Sequence, residues 1–473
     1  MRKILTAVFA LSLSSAVPAA EYSNELALFE AWLAGQRAYD RVPGLSVAIV
    51  QDQEVLWSGG FGQADLDRNL PARADTIYGI CSISKLFTGI AVMQLRDQGK
   101  FRLDDPIGEL LPWYNLEQAH EGSPPVTLRA VLTHSAGLPR ESDLPYWMPP
   151  DFPFPSREKM KEVLGSQSTL YPANRYYQYS NLGLTLAGEV VAEISAEEYA
   201  AYVEKHILEP LGLEDTDTGF PTDERQARIA TGYAYPGRDH QLKEMPRYDT
   251  RAITPAAGFA STALDLGRFA SWQFRVLNGQ QNPVLAPNTL REMQRVQWMD
   301  WDWNVARGLA FGVYRVGDRT LTGHAGDCPG FNTRLYLDPL SQFAVAVLAN
   351  RNRVDVDGYA AGILDILEAG LNSDEPPVSN RLDDYVGSYD MSPWDGELLV
   401  FRSGNSLGLI SLPTMDPAGR IAKLRHAEND RFHIVRSDDE NGAEVLFVRD
   451  EQGRVSHLKV HSMASPRLAA TED

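Results

Sequence analysis

The 473-residue chain has only two cysteines, and its 44 lysines and arginines are outnumbered by 63 aspartates and glutamates. Two cysteines cannot build a disulfide-rich scaffold. A net charge of −19 argues against nucleic acid and anionic membrane surfaces as partners. Beyond the N-terminus no apolar run is long enough to span a bilayer, so no integral membrane segment is expected in the mature chain. Internal repeats and low-complexity tracts are missing too. What is present is ordinary for a globular protein: 44% hydrophobic and 23% charged residues, in a chain longer than one compact domain usually holds.

The first residues read as a secretory signal peptide over 1–19. Arg2 and Lys3 precede a short apolar run at 4–13, and Val17-Pro18-Ala19 offers small residues before a cut after Ala19. The run is too short for an anchor, and no cysteine near the cut would carry a lipid. The expected location is therefore exported, periplasmic or secreted, where an even pair of cysteines is open to oxidation.

Residues 24–39 read as an amphipathic helix and 45–50 with 55–61 as a hairpin. Residues 82–98 form an apolar helix that stops at Gly99, and 105–265 look mainly helical with long loops. The proline- and aromatic-rich stretch 138–155 reads equally as a packed surface loop or a lid. Strands return at 309–316, 319–324, 333–337 and 343–348, followed by a helix at 358–370. Strands at both ends of a helical middle predict α/β architecture: an antiparallel sheet flanked by helices with an inserted helical subdomain. Pro376-Pro377 marks a linker at 373–380. Residues 381–473 carry short strand-like runs at 398–401, 407–412, 432–435, 445–448 and 455–460, which predict a small antiparallel β-barrel or sandwich. The expected units are thus 20–372 and 381–473.

Ser82-Ile83-Ser84-Lys85 opens the apolar helix. A serine and a lysine three apart share one face of a first turn, where free N–H groups and the helix dipole favour attack on a carbonyl. Ser156-Arg157-Glu158-Lys159 repeats the pattern but reads as an N-cap before a polar helix. Tyr179-Ser180-Asn181 offers a phenol that a neighbouring ammonium makes easier to ionise, and an amide on the same side if the segment is extended. His324-Ala325-Gly326 ends a strand, where small residues let a substrate backbone approach; the N–H of Asp327 would join that of Ser82 as an oxyanion pair. The copies Tyr22-Ser23-Asn24 and His120-Glu121-Gly122 lack this apolar context.

Ser-x-x-Lys, Tyr-x-Asn and Lys/His-x-Gly in this order resemble the serine β-lactamase and penicillin-binding-protein superfamily, on the class C β-lactamase, D-aminopeptidase and esterase side. The segments Leu132-Thr133-His134-Ser135-Ala136-Gly137-Leu138-Pro139 and Gly258-Phe259-Ala260-Ser261-Thr262 agree, and the resemblance covers about 40–370. The β-rich tail looks like the lipocalin-like domains some members append. The resemblance implies a β-lactamase/transpeptidase-like fold and no cofactor or metal. It makes Ser82 the acylated nucleophile, with Lys85 and Tyr179 sharing proton transfer, either of them the formal base. Asn181 would position substrate and His324, with Gly326 and Asp327, would line the opposite wall. His134 is read as a loop histidine satisfying backbone. If the first and third motifs face each other, Cys81 and Cys328 are neighbours; some class A β-lactamases resemble this, and a Cys81–Cys328 disulfide is expected, closing a loop of roughly 250 residues and adding a few kcal/mol.

The family often binds a substrate carboxylate through lysine and a following hydroxyl. Here Ala325 removes the hydroxyl and Asp327 adds a carboxylate, which disfavours anionic substrates if Asp327 faces the cleft. In the loop Trp298-Met299-Asp300-Trp301-Asp302-Trp303 the tryptophans are expected to pack on the core; the other reading is an ammonium site. The expected partner is a small peptide or ester, cleaved by a peptidase acting on short or D-residue peptides. The alternatives are a carboxylesterase, a β-lactamase or DD-peptidase, and a non-catalytic sensor. An oligomer is open.

Overall fold

The computed structural model describes residues 19–371 and 381–469. The expected linker and nearly all of the expected signal peptide lie outside them.

Helix α1 (Ser23–Tyr39) leads into a hairpin of β1 (Gly44–Gln51) and β2 (Glu54–Asp65), extended by β3 (Leu70–Pro71). The run Leu45-Ser46-Val47-Ala48-Ile49-Val50 is buried throughout, as a strand covered on both faces must be. Helix α2 (Ser84–Asp97) follows, then α3 (Asn181–Ser195) and α4 (Ala263–Leu277) in the helical middle. The remaining strands come late: β4 (Trp298–Met299), β5 (Ala306–Arg307), β6 (Gly312–Val316), β7 (Arg319–Cys328), β8 (Phe331–Asp338) and β9 (Phe343–Ala349). Helix α5 (Val356–Leu367) closes this part.

These strands form one nine-stranded antiparallel sheet in the order β3-β2-β1-β9-β8-β7-β6-β5-β4. Its centre is the β1–β9 pair, with Leu45 opposite Ala349 and Gln51 opposite Phe343. One face packs on the helical middle, where Phe87, Ile90 and Met93 of α2 meet Phe259 and Phe269. The other face packs on α1 and α5 through Leu28, Trp32, Tyr359 and Ile363. α2 is buried on all sides from Ser84 to Leu95 and ends where Gly99 turns at φ +73°, its N–H bonded to the Arg96 carbonyl.

A second, eight-stranded antiparallel sheet runs in sequence order from β10 (Gly387–Asp390) through β11 (Glu397–Ser403), β12 (Ser406–Leu412), β13 (Ala422–His426), β14 (Arg431–Val435), β15 (Asn441–Arg449) and β16 (Val455–Val460) to β17 (Met463–Pro466). Its ends meet: Tyr389 bridges Arg467, and the Leu468 N–H donates to the Ser388 carbonyl at 2.8 Å, so the sheet is a nearly closed barrel. Tyr385, Val400, Leu407, Phe432 and Phe447 fill its interior. The strands at β10, β13 and β17 escaped sequence reading because they are short and half exposed, without clean alternation. Leu399, Phe401, Ile410 and Leu412 of the barrel join the same apolar cluster as α1. Trp32 Nε1 donates to the Thr414 carbonyl at 2.8 Å and the Thr414 N–H donates to Gln36 Oε1 at 2.7 Å.

Two surface readings are resolved. The stretch 138–155 is packed: Tyr146, Phe152 and Phe154 are buried, the two phenylalanines beside Tyr248. The tryptophan loop is not packed at its tip, which corrects the expectation. Trp298 sits 6.0 Å from the Tyr177 ring, but Trp301 and Trp303 are 88% and 75% exposed, because they cap a two-residue strand pair that projects from the sheet edge.

Candidate active site

Ser82 lies in a single 3-10 turn, Cys81–Ile83, that feeds α2. Cys81 holds φ +51°, a left-handed conformation that costs a non-glycine residue about 1–3 kcal/mol. Several contacts hold the turn. Ser84 Oγ donates to the Cys81 carbonyl at 2.5 Å and accepts from the Phe259 N–H at 3.0 Å. Cys81 is joined to Cys328 by a disulfide with Cα atoms 5.7 Å apart. Gly326 packs directly against the turn: a Cβ there would stand 2.4 Å from the Ile80 carbonyl oxygen. Glycine at this position thus serves contact between β7 and the serine turn, where the sequence suggested room for a substrate backbone.

Lys85 is fully buried one helical turn beyond Ser82. Its Nζ lies 3.0 Å from Ser82 Oγ, 2.8 Å from Asn181 Oδ1 and 2.6 Å from the Ala256 carbonyl. Burial drives its pKa well below 10.5; Glu141 opposes this, while Arg140 and Arg307 reinforce it. Asn181 arrives differently from the sequence expectation. It is the first residue of α3, with Ser180 as N-cap accepting from the Gly183 N–H at 2.8 Å, so helix geometry, not strand alternation, aims its amide.

Tyr179 packs at the same point, with Lys85 Nζ 4.8 Å from its ring centre. Burial raises its pKa above the usual 10, and a hydrogen bond to Ser82 only partly offsets that. The expected ease of ionisation is therefore reversed, because desolvation outweighs the Ser82 hydrogen bond and the charges of Arg140 and Arg307. His134 stacks on Tyr179 at 4.3 Å, and its Nδ1 accepts the Ser180 N–H at 3.1 Å. It satisfies backbone, as read from sequence, and also forms one wall of the phenol's pocket. Ser156, the decoy, caps the helix Arg157–Leu164 by accepting from the Lys159 N–H.

His324 is buried in β7, its ring 6.2 Å from that of Tyr179. Its Nδ1 lies 2.6 Å from the Ala325 carbonyl. A carbonyl only accepts, so Nδ1 carries the proton and Nε2 is left as an acceptor. Burial, then Lys85 and Arg307, hold its pKa well below 6.5. Side chains alternate along β7, and His324, Gly326 and Cys328 face the serine turn. Asp327 points to the other face, where Asn332 Nδ2 (3.0 Å) and Asn352 Nδ2 (3.1 Å) donate to it. The expected repulsion of anions by Asp327 loses its basis; its backbone N–H is unaffected by that argument.

Sequence reading missed Glu141 and Arg307. Glu141 accepts from Asn181 Nδ2 at 2.6 Å and from the Tyr146 hydroxyl at 2.5 Å, which fixes the amide. Arg307, on β5, is half-buried and donates to the Tyr177 hydroxyl at 2.6 Å. Among the described residues no carboxylate stands within ion-pair distance of it, and its Nε has no partner. Nothing in the local sequence signals this; only the fold of a remote strand pair brings it beside Tyr177. No group of three or more His, Cys, Asp or Glu side chains among the described residues could hold a metal.

A buried lysine against a serine, flanked by a tyrosine and an asparagine and faced by a histidine-bearing strand, can be compared with known proteins. The family model described as Beta-lactamase matches residues 29–368. The chain belongs to the beta-lactamase family. Within the serine β-lactamase and penicillin-binding-protein superfamily, members are serine hydrolases. A second model, a domain of unknown function (DUF3471), matches residues 372–472, a range that includes the barrel strands. Protein flp of Staphylococcus aureus (strain MW2) is 24% identical over 319 residues, which is 66% of this chain and 60% of the relative. Beta-lactamase-like protein 2 of Dictyostelium discoideum is 28% identical over 297 residues, 61% of this chain and 53% of the relative. The chain thus spans well under two thirds of these relatives' length. An octameric penicillin-binding protein homologue from Pyrococcus abyssi shares the fold with a TM-score of 0.63 at 24% identity, covering 93% of this chain and 99% of its own. The D-amino acid amidase from Ochrobactrum anthropi SV3, solved with L-phenylalanine amide, gives 0.59 at 22% identity, covering 72% and 96%. No helix among the described residues is long and apolar enough to cross a membrane.

Proposed function

We propose that this chain is an exported serine hydrolase that cleaves an amide or ester through an acyl-enzyme on Ser82, acting as a peptidase on short peptides, D-residue peptides among them. The observation that carries this is Lys85: a fully buried amine 3.0 Å from Ser82 Oγ, with two further acceptors at 2.8 and 2.6 Å. Once deprotonated, it would keep two N–H groups for Asn181 Oδ1 and the Ala256 carbonyl and turn its lone pair to the serine O–H. The lowered pKa of Lys85 and the raised pKa of Tyr179 favour the lysine as base. Ser82 Oγ attacks the carbonyl carbon and its proton passes to Lys85. The oxyanion that forms is met by the N–H groups of Ser82 and Asp327. Tyr179, kept as a neutral phenol, hands a proton to the leaving amine or alcohol and is reprotonated from Lys85. Water then cleaves the ester on Ser82. Asn181 and neutral His324 orient the substrate. The division into 20–372 and 381–473 belongs to the same proposal, as does export, which the Cys81–Cys328 disulfide supports.

A second reading, a DD-peptidase or β-lactamase, is favoured by Arg307. With Asp327 turned away, a guanidinium lacking a carboxylate beside Tyr177 suits a substrate carboxylate. The test is a panel of D-alanine p-nitroanilide, p-nitrophenyl butyrate and nitrocefin, with fluorophosphonate labelling. Labelling at Ser82 and loss of all turnover in Ser82→Ala are expected; turnover at the wild-type level in that variant refutes the proposal. Arg307→Met is expected to weaken carboxylate-bearing substrates more than neutral ones.

A further inference from the structure

A cavity of about 830 Å³ opens where the end of α1, the turn between β9 and α5, and the loop at 235–240 come together. Met415 of the barrel closes one side, and none of the residues placed around Ser82 lines it. Four arginines do: Arg41, Arg238, Arg351 and Arg353. Tyr235, half exposed, lies between two of them, its ring centre 5.5 Å from the Arg351 guanidinium and 5.3 Å from that of Arg353.

This concentration stands in a chain of net charge −19. The two carboxylates in the lining are already engaged. Asp40 accepts from the Tyr359 hydroxyl and from Gln36 Nε2, and Asp355 accepts from the Gly358 N–H that opens α5. Among the described residues none of the four arginines has a carboxylate within ion-pair distance. Arg351 is the floor. It is 4% exposed, donates from Nη1 to the carbonyls of Asp40 (2.7 Å) and Arg41 (3.1 Å), and leaves Nε without a partner. The Asp40 carboxylate acts on Arg351 only from beyond ion-pair distance; burying a guanidinium without a direct partner is costly, and an anion in the cavity reduces that cost. Arg41, Arg238 and Arg353 are exposed at the rim, placed to meet a ligand from solvent. The space exceeds that of a single phosphate and matches a small-molecule site. The planar donor forks of arginine suit phosphate and carboxylate oxygens alike.

We propose that this cavity binds a multivalent oxyanion, a ligand presenting two or more phosphate or carboxylate groups to Arg351, Arg353 and Arg41, with Tyr235 as a packing surface. The turn that supplies the arginines also carries Asn352, whose side chain bonds Asp327, the Cys328 carbonyl and the Gly330 N–H, so cavity and β7 share one support.

The test is isothermal titration of the full chain in the Ser82→Ala background at low salt, with pyrophosphate in one arm and citrate in the other. Saturable binding that weakens at least tenfold in Arg41→Gln/Arg353→Gln, with an unchanged melting temperature, is expected, along with weakening as salt is raised. Tighter pyrophosphate binding identifies a phosphate-bearing ligand, tighter citrate binding a polycarboxylate; either supports the site. The proposal is overturned by no saturable heat in either arm, by binding indifferent to the double substitution, or by binding lost instead in Arg307→Met. Because the background lacks Ser82, the outcome is independent of the hydrolase proposal.

Discussion

Replacing Gly326 by alanine tests the geometry of the site most directly. The added methyl would lie 2.1 Å from Thr333 Oγ1, 2.4 Å from the Ile80 carbonyl oxygen and 3.1 Å from Cys81 Cβ. The threonine hydroxyl can rotate away, giving up its 3.2 Å bond to the Ile80 carbonyl. The Ile80 oxygen is backbone, two residues before Ser82, and cannot. Restoring ordinary contact takes a separation of about 1 Å between β7 and the serine turn. That movement parts the Ser82 N–H from the Asp327 N–H and from His324. A misplacement of about 1 Å at reacting groups costs on the order of 100-fold, or about 2.7 kcal/mol of barrier. Overpacking adds about 1–3 kcal/mol of lost stability. Steady-state kinetics with p-nitrophenyl butyrate read the first effect and urea denaturation reads the second. Gly326→Ala/Thr333→Ala, which removes the nearest side-chain atom but not the carbonyl, is expected to stay impaired. A Gly326→Ala protein within threefold of wild-type kcat/KM would refute the packing of β7 on the serine turn.

Three further outcomes are expected. Cys81→Ala/Cys328→Ala lowers stability by up to about 5 kcal/mol, from the chain entropy of so long a loop, read by urea midpoints with and without reductant; two free thiols in non-reduced peptides from exported protein would remove the premise. Stability falls as pH drops through and below 6.5: burial holds the folded pKa of His134 and His324 below that of the unfolded chain, which takes up protons first, so the urea midpoint is lower at pH 5.5 than at 7.5 and His134→Phe flattens part of the slope. His134→Ala leaves the Ser180 N–H unpaired and the Tyr179 ring unsupported, costing about 3 kcal/mol of stability and lowering kcat more than it changes KM; unchanged kcat would leave the stack with a structural role alone.

Much of this was legible in the chain. Ser82, Tyr179 and His324 each sit in motifs whose order carries the family, and the apolar runs at 45–50 and 343–348 mark central strands. What escaped depends on tertiary context. Whether Tyr179 ionises easily turns on how deeply the phenol is buried, a property of packing. The side to which Asp327 points follows from where β7 meets the serine turn, which no local pattern states. Arg307 becomes relevant only because a two-residue strand pair joins the sheet edge beside Tyr177. Trp301 and Trp303 follow the same lesson in reverse: large apolar side chains suggested a core that the projecting strand pair never reaches.

The pairing of β1 with β9 has a consequence in time. Leu45 and Ala349 must find each other across roughly 300 residues, a closure costing about 5 kcal/mol in chain entropy before any contact repays it. The strand that carries His324 lies on the late side of that gap, as does Cys328. A chain emerging N-terminus first therefore presents Ser82 and Lys85 long before the wall that faces them exists. The helical middle can collapse early, but the sheet cannot close until the last of its strands arrives, so folding is slow and topology-limited. The strand facing the serine turn comes from the far end of the sheet-forming chain, so a nascent or truncated chain carries Ser82 and Lys85 without His324 opposite them.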